Sequence, residues 1–181
     1  MTRSEYRARL ANGRAAIVLA VIVCLVVLTG TGPVHARALD DARAATIARM
    51  LRFVEWTGTP GDALTVAVMG NPTLGAALRE ALAGLQPGGR TVVVVDVPSP
   101  RSLADLHAAV VVLGAESALL ARSLAEQGVL TVGDGDCPDQ GLMLNLRSDG
   151  TRYGFSANPA AAARAGVSLS SRLLRLAHIV N

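Results

Sequence analysis

The sequence predicts an α/β fold: a mainly parallel central sheet flanked by helices as a sandwich, with a C-terminal antiparallel hairpin and a terminal helix. Three observations predict it. Short runs of Val, Leu and Ala recur as continuous apolar blocks, as strands buried on both faces require. Those blocks alternate with segments of helical periodicity. Asp149-Gly150 then separates two β-like segments, and Asp-Gly tolerates the positive φ that a tight hairpin needs.

The first fourteen residues carry Arg3, Arg7, Arg9 and Arg14 against Glu5. That imbalance equals the whole formal net charge of +3. The remainder is neutral, and aromatics are only 3% of the chain. Nucleic-acid binders use a basic stripe and stacking platforms, so no nucleic-acid partner is expected. After the arginines comes Ala15–Leu28, a wholly apolar run, then Gly30, Gly32 and Pro33, then small residues at Ala36 and Ala38. This is the pattern of a secretory signal over residues 1–36, cleaved near Ala36 or Ala38. The run is shorter than the roughly 20 residues of a membrane span; an uncleaved anchor is the alternative. Residues 37–181 then form one domain outside the cytoplasm. Cys24 leaves with the signal, so Cys137 stands alone and no internal disulfide is expected.

Ala38–Trp56 reads as a helix. Leu39, Ile47, Met50, Leu51 and Val54 make its apolar stripe, and Arg43, Arg49 and Arg52 lie largely off it. Trp56, the only tryptophan, is either a helix-end anchor or a stacking and partner-contact residue. Leu64–Met69 is a strand, followed by a turn at Gly70–Gly75 and a helix over Leu74–Leu85. Strand, glycine turn and helix can bind an anion, but Gly75 is followed by alanines where a phosphate loop needs Gly-Lys-Ser/Thr. A structural turn is the better reading.

Thr91–Val97 is a second buried strand, and Ser99-Pro100 opens a short helix around Leu103–His107. Ala109–Leu113 is the third strand, Ser117–Gln127 a helix closed by Gly128, and Val129–Val132 the fourth strand. The loop Gly133–Asp139 holds three aspartates but lacks the calcium-loop pattern, so no metal is expected. Leu142–Leu146 and Arg152–Ser156 form the hairpin. Asn158–Ala165 is an alanine-rich helix ended by Gly166.

The last helix starts at Ser168 or Ser170. Leu169, Leu173, Leu176, Ala177 and Val180 line one face, and Arg172, Arg175 and His178 another. That second face is either solvated, with cations suited to a helix C-terminus, or a patch for an acidic ligand or partner. No Gly-x-Ser-x-Gly elbow exists, and His107 and His178 could join a Ser–His–Asp arrangement only through tertiary contacts. No catalytic residue and no cofactor are expected.

Several stretches together resemble the YfiR family. They are Ala44-Ala45 with Arg52-Phe53-Val54-Glu55-Trp56, then Val66–Leu78, VVVLGAES, and Val129–Asp134. The closing block carries Gly141, Leu142, Met143, Asn158, Ala161–Ala163, Gly166 and Ser170–Leu174. The resemblance covers nearly all of residues 37–181. It implies an exported α/β regulator without catalysis, which binds and represses a membrane-bound diguanylate cyclase and so lowers cyclic di-GMP signalling. The implied partners are the periplasmic portion of an inner-membrane diguanylate cyclase, an outer-membrane lipoprotein that relieves the contact, and a second copy in a homodimer. A periplasmic small-ligand sensor is the alternative. Candidate ligand- or partner-binding residues are Arg52, Glu55 and Trp56 in the signature segment, and Arg172, Arg175 and His178 in the closing block. Some members of the family pair two cysteines; here Ala108-Ala109 opens the third strand and Cys137 has no partner.

Overall fold

The computed structural model describes residues 32–56, 62–103, 106–114, 118–135, 141–148 and 153–180, with backbone alone at 32–35, 56 and 118. The expected signal segment as far as Thr31, the Asp136–Asp139 stretch with Cys137, and the Asp149-Gly150 turn lie outside the described residues. The chain divides into two compact units, Met1–Ala38 and Leu39–Asn181. No described helix is long and apolar enough to cross a membrane.

Among the described residues the main sheet has seven strands. They are β2 (Ala63–Met69), β3 (Thr91–Val97), β4 (Val110–Leu113), β5 (Leu130–Gly133), β6 (Leu144–Ser148), β7 (Tyr153–Ala157) and β9 (His178–Ile179). Their spatial order is β3-β2-β4-β5-β6-β7-β9. From β3 to β6 every pairing is parallel. β6 and β7 pair antiparallel, which is the expected hairpin, and β9 returns parallel to β7. Alternation along each strand builds two cores. Val66, Val68, Val110, Val112, Leu130 and Leu144 face one side. Ala67, Val97, Val111 and Leu113 face the other.

Helix α1 (Gly32–Leu51), α2 (Pro72–Ala81) and α4 (Pro159–Arg164) feed the first core with Ile47, Leu51, Leu74, Leu78 and Ala161. Helix α3 (Ala118–Glu126) covers the second with Ala121 and Leu124. The turns are made as their residues dictate. Gly70 takes φ +73°, and the Asn71 side chain caps α2 by accepting the Leu74 amide at 3.0 Å. That helix start is occupied by the chain's own side chains, in keeping with a structural turn. Asn158 caps α4 in the same way, accepting from the Ala161 amide at 2.8 Å. Gly128 and Gly166 end α3 and α4 at positive φ.

Several elements differ from the sequence reading. First, α1 ends at Leu51, and Val54–Trp56 is a strand, β1, paired antiparallel with β8 (Val167–Leu169). Phe53, Val54 and Trp56 are aromatic or β-branched and prefer a strand once a partner is present; that partner lies more than a hundred residues downstream. Second, the buried face of α1 includes Asp40 and Arg43, while Leu39 is 41% exposed. Asp40 accepts from Thr73 Oγ1 at 2.5 Å and pairs with Arg43 at 3.5 Å, so the buried carboxylate faces polar partners. Third, β3 is an edge strand, half-exposed rather than buried, with Val93 at 45%. Fourth, the terminal segment is not one helix. Helix α5 is only Ser171–Leu174, between β8 and β9. Ser170 is its N-cap, accepting from the Leu173 amide at 3.2 Å. The single helical face expected for Leu169–Val180 therefore does not exist, because sheet pairing claims both flanks. Of the helix expected around Leu103–His107, residues 104–105 lie outside the described residues; a 3-10 turn covers Pro100–Leu103, and Leu106 and His107 are not helical.

Candidate functional site

Chain ends of three elements meet beside the hairpin. Helix α1 brings Thr46, Arg49 and Met50 in its last turns. A turn follows, closed by the Phe53 amide donating to the Met50 carbonyl at 3.0 Å. Strand β7 brings Tyr153 and Phe155, two residues apart and so on one face. Helix α5 brings Leu173, and Leu176 follows it. Together they line a groove of about 150 Å³.

The composition of this groove is unusual for the chain. Phe53 and Phe155 are its only two phenylalanines, and Tyr153 is one of its two tyrosines. Aromatic residues make up only 3% of the sequence, yet three of them line one groove. Its floor is Met50 and Leu173, both buried. Leu176 stands at the rim, 62% exposed. One guanidinium lines it, and a second stacks on the Phe53 ring of its wall. Arg49 is exposed and lines the groove. Arg172 lies over the Phe53 ring at 5.7 Å from its centroid, a cation–π contact.

Such a surface binds by shape and charge. Aromatic walls and an aliphatic floor accept a flat or apolar group, and the rim arginines favour one that carries negative charge. Among the described residues the lining holds no serine, cysteine or histidine. Among the described residues no cluster of three or more His, Cys, Asp or Glu side chains could hold a metal ion. A larger hollow of about 350 Å³ lies beside α4 and β8. Among the described residues it is lined by Ala, Gly, Pro, Val, Leu and one serine, with no charged side chain. We favour the smaller groove because recognition needs convergent polar and aromatic groups, not volume alone.

The predicted site residues fall around this groove unequally. Arg172 reaches it through Phe53. Arg52 is exposed on the turn beside Phe53. Glu55 is exposed on β1 opposite Ser168, and Trp56 pairs through its backbone with Val167; the Trp56 side chain lies outside the described residues. Arg175 is exposed at the end of α5. His178 is exposed on β9, where it pairs with Ser156, so it does not share a helical face with Arg172 and Arg175. The residues that the sequence reading missed are Arg49, Tyr153, Phe155 and, as a wall rather than a helix end, Phe53. A signal was present: Tyr153 and Phe155 alternate after a turn motif in a chain with few aromatics.

The comparisons agree with this architecture. A family model described as YfiR/HmsC-like matches residues 40–178. The chain therefore belongs to the YfiR/HmsC-like family, a class of periplasmic regulatory rather than catalytic domains that act with a signalling partner. Among solved structures, a conserved domain protein from Vibrio cholerae O1 biovar El Tor is similar in fold, with a TM-score of 0.51 at 12% identity. The likeness covers 78% of this chain and 60% of that one. No curated protein sequence matches the chain significantly.

Proposed function

We propose that the protein is a periplasmic regulator that binds and represses a membrane-bound diguanylate cyclase, lowering cyclic di-GMP signalling. The observation that carries this reading is the family match across residues 40–178. The groove of Phe53, Tyr153 and Phe155, lined also by Arg49 and Leu176 and with Arg172 stacked on Phe53, is the surface proposed to meet the periplasmic portion of that cyclase. Aromatic and arginine side chains are the usual anchors of such contacts. An outer-membrane lipoprotein competing for the same surface would relieve repression. The amino-terminal segment is proposed to be a cleaved export signal.

The test is direct binding. The purified protein should retain the periplasmic portion of a diguanylate cyclase encoded beside it, and Leu176→Arg should weaken retention while leaving the circular dichroism spectrum unchanged. Equal retention by both proteins contradicts this use of the groove.

A second reading, a small-ligand sensor, is favoured by one observation: the groove is small, aromatic-walled and edged by guanidinium groups. Thermal-shift measurements with nucleotides, aromatic amino acids and cell-wall fragments test it. Failure of every compound at millimolar concentration contradicts it. The two readings are compatible, because a ligand that prefers one state biases the partner contact.

A further inference from the structure

We infer that strand β8 is an acceptor edge for an extended, uncharged peptide segment of a partner protein, which adds as a further strand beside β8 and lies in the hollow walled by α4. The small sheet of β1 and β8 is antiparallel, with Val54 opposite Leu169, Glu55 opposite Ser168 and Trp56 opposite Val167. β1 therefore occupies one edge of β8. The Ser170 amide donates to the Phe53 carbonyl at 3.2 Å, so even-numbered residues turn their backbone groups toward β1. By alternation, Val167 and Leu169 turn theirs away from it. Among the described residues no strand pairs with that outer edge.

An unpaired edge is a template for another strand, and main-chain bonds to such an edge are a general mode of peptide recognition. This edge has room beside it. Val167, Ser168 and Leu169 all line the hollow of about 350 Å³, and Pro159, Ala162 and Ala163 of α4 line it as well. That volume falls within the range of ligand sites, on the order of 300–1,000 Å³. Alanine side chains on α4 are short, so they leave space for a second backbone between helix and strand.

Two features define the occupant. The groups that β8 offers are main-chain N–H and C=O groups in a line, which the alternating donors and acceptors of another extended backbone match. Among the described residues no charged side chain lines the hollow. A charged group placed there would lose its hydration without a counter-charge, so the bound segment carries small, uncharged side chains. Three residues of strand span about 10 Å, which sets the length of the contact. Hollow and aromatic groove share no lining residue, so the inference does not depend on what fills that groove.

Amide hydrogen exchange of the purified protein, followed by nuclear magnetic resonance, tests the edge. The probe is a pool of short peptides, acetylated and amidated, built only from glycine, alanine, serine, threonine and valine. In the free protein the Val167 and Leu169 amides should exchange as unbonded amides do. The pool at millimolar concentration should slow both about tenfold or more, the mark of new hydrogen bonds. The same pool methylated on its backbone nitrogens should slow neither, since the methyl groups remove donors and hold the backbones apart. Ala163→Phe fills the hollow from an exposed position and should abolish the effect with an unchanged circular dichroism spectrum. Val167 and Leu169 amides already slowed in the free protein overturn the inference. So does a pool that leaves them unchanged, an equal effect of the methylated pool, or protection that survives Ala163→Phe.

Discussion

Arg172 is the residue where the sequence reading and the structure meet most closely. Its guanidinium covers the Phe53 ring at 5.7 Å, so one side chain joins α5 to the turn before β1. Arg172→Ala should lower stability by about 0.5–1 kcal/mol, the size of an exposed cation–π contact, measured by urea unfolding. Arg172→Lys should retain part of it. A buried counterpart is Gly133, at the end of β5. A Cβ there would press against the Asn145 side chain and lie 2.6 Å from Leu142 Cδ1, both buried. Gly133→Ala should therefore cost about 1–3 kcal/mol by overpacking, read from the shift of the unfolding midpoint. An unchanged midpoint would mean that the Asn145 amide and Leu142 move aside freely. Which arginine meets a ring is a fact of three-dimensional neighbourhood: Phe53 and Arg172 are far apart in sequence, and no periodicity links them.

At the scale of elements, the parallel strands were legible because each is a short apolar run bounded by turn residues. Val66–Val68, Val110–Leu113 and Leu130–Val132 are buried on both faces. The caps were legible for the same local reason. Ser170 and Asn158 each accept an amide three residues on, and Ser170→Ala or Asn158→Ala should each cost about 1 kcal/mol in urea unfolding. β1, β8 and β9 were not legible. Each is two or three residues long, too short to show a period of two, and each exists only because a distant strand completes its hydrogen bonds. The three- and four-residue spacing of Leu169, Leu173 and Leu176 looks helical. The chain instead uses one helical turn between two strands. The buried Asp40 and Arg43 escaped an apolar count because their contacts, with each other and with Thr73, are polar.

At the scale of the whole molecule, the sheet separates two surfaces. One edge ends in β7 and β9, beside the aromatic groove; the other is β3. A regulator needs little more than such surfaces, and a fold alone assigns no function. The groove residues were partly legible: the arginine was singled out, but two walls of the groove, Tyr153 and Phe155, emerge only when the hairpin is laid against α1. Leu176→Arg changes this rim at a residue that is 62% exposed, so it should leave the unfolding midpoint within about 0.5 kcal/mol of wild type. It should nonetheless remove regulatory activity.

The most direct measurement of the central claim is cellular cyclic di-GMP in a strain lacking this protein, under conditions where the cyclase is expressed. The level should rise on deletion, return with the wild-type protein, and stay high with Leu176→Arg produced at equal abundance. An unchanged level on deletion would contradict the account.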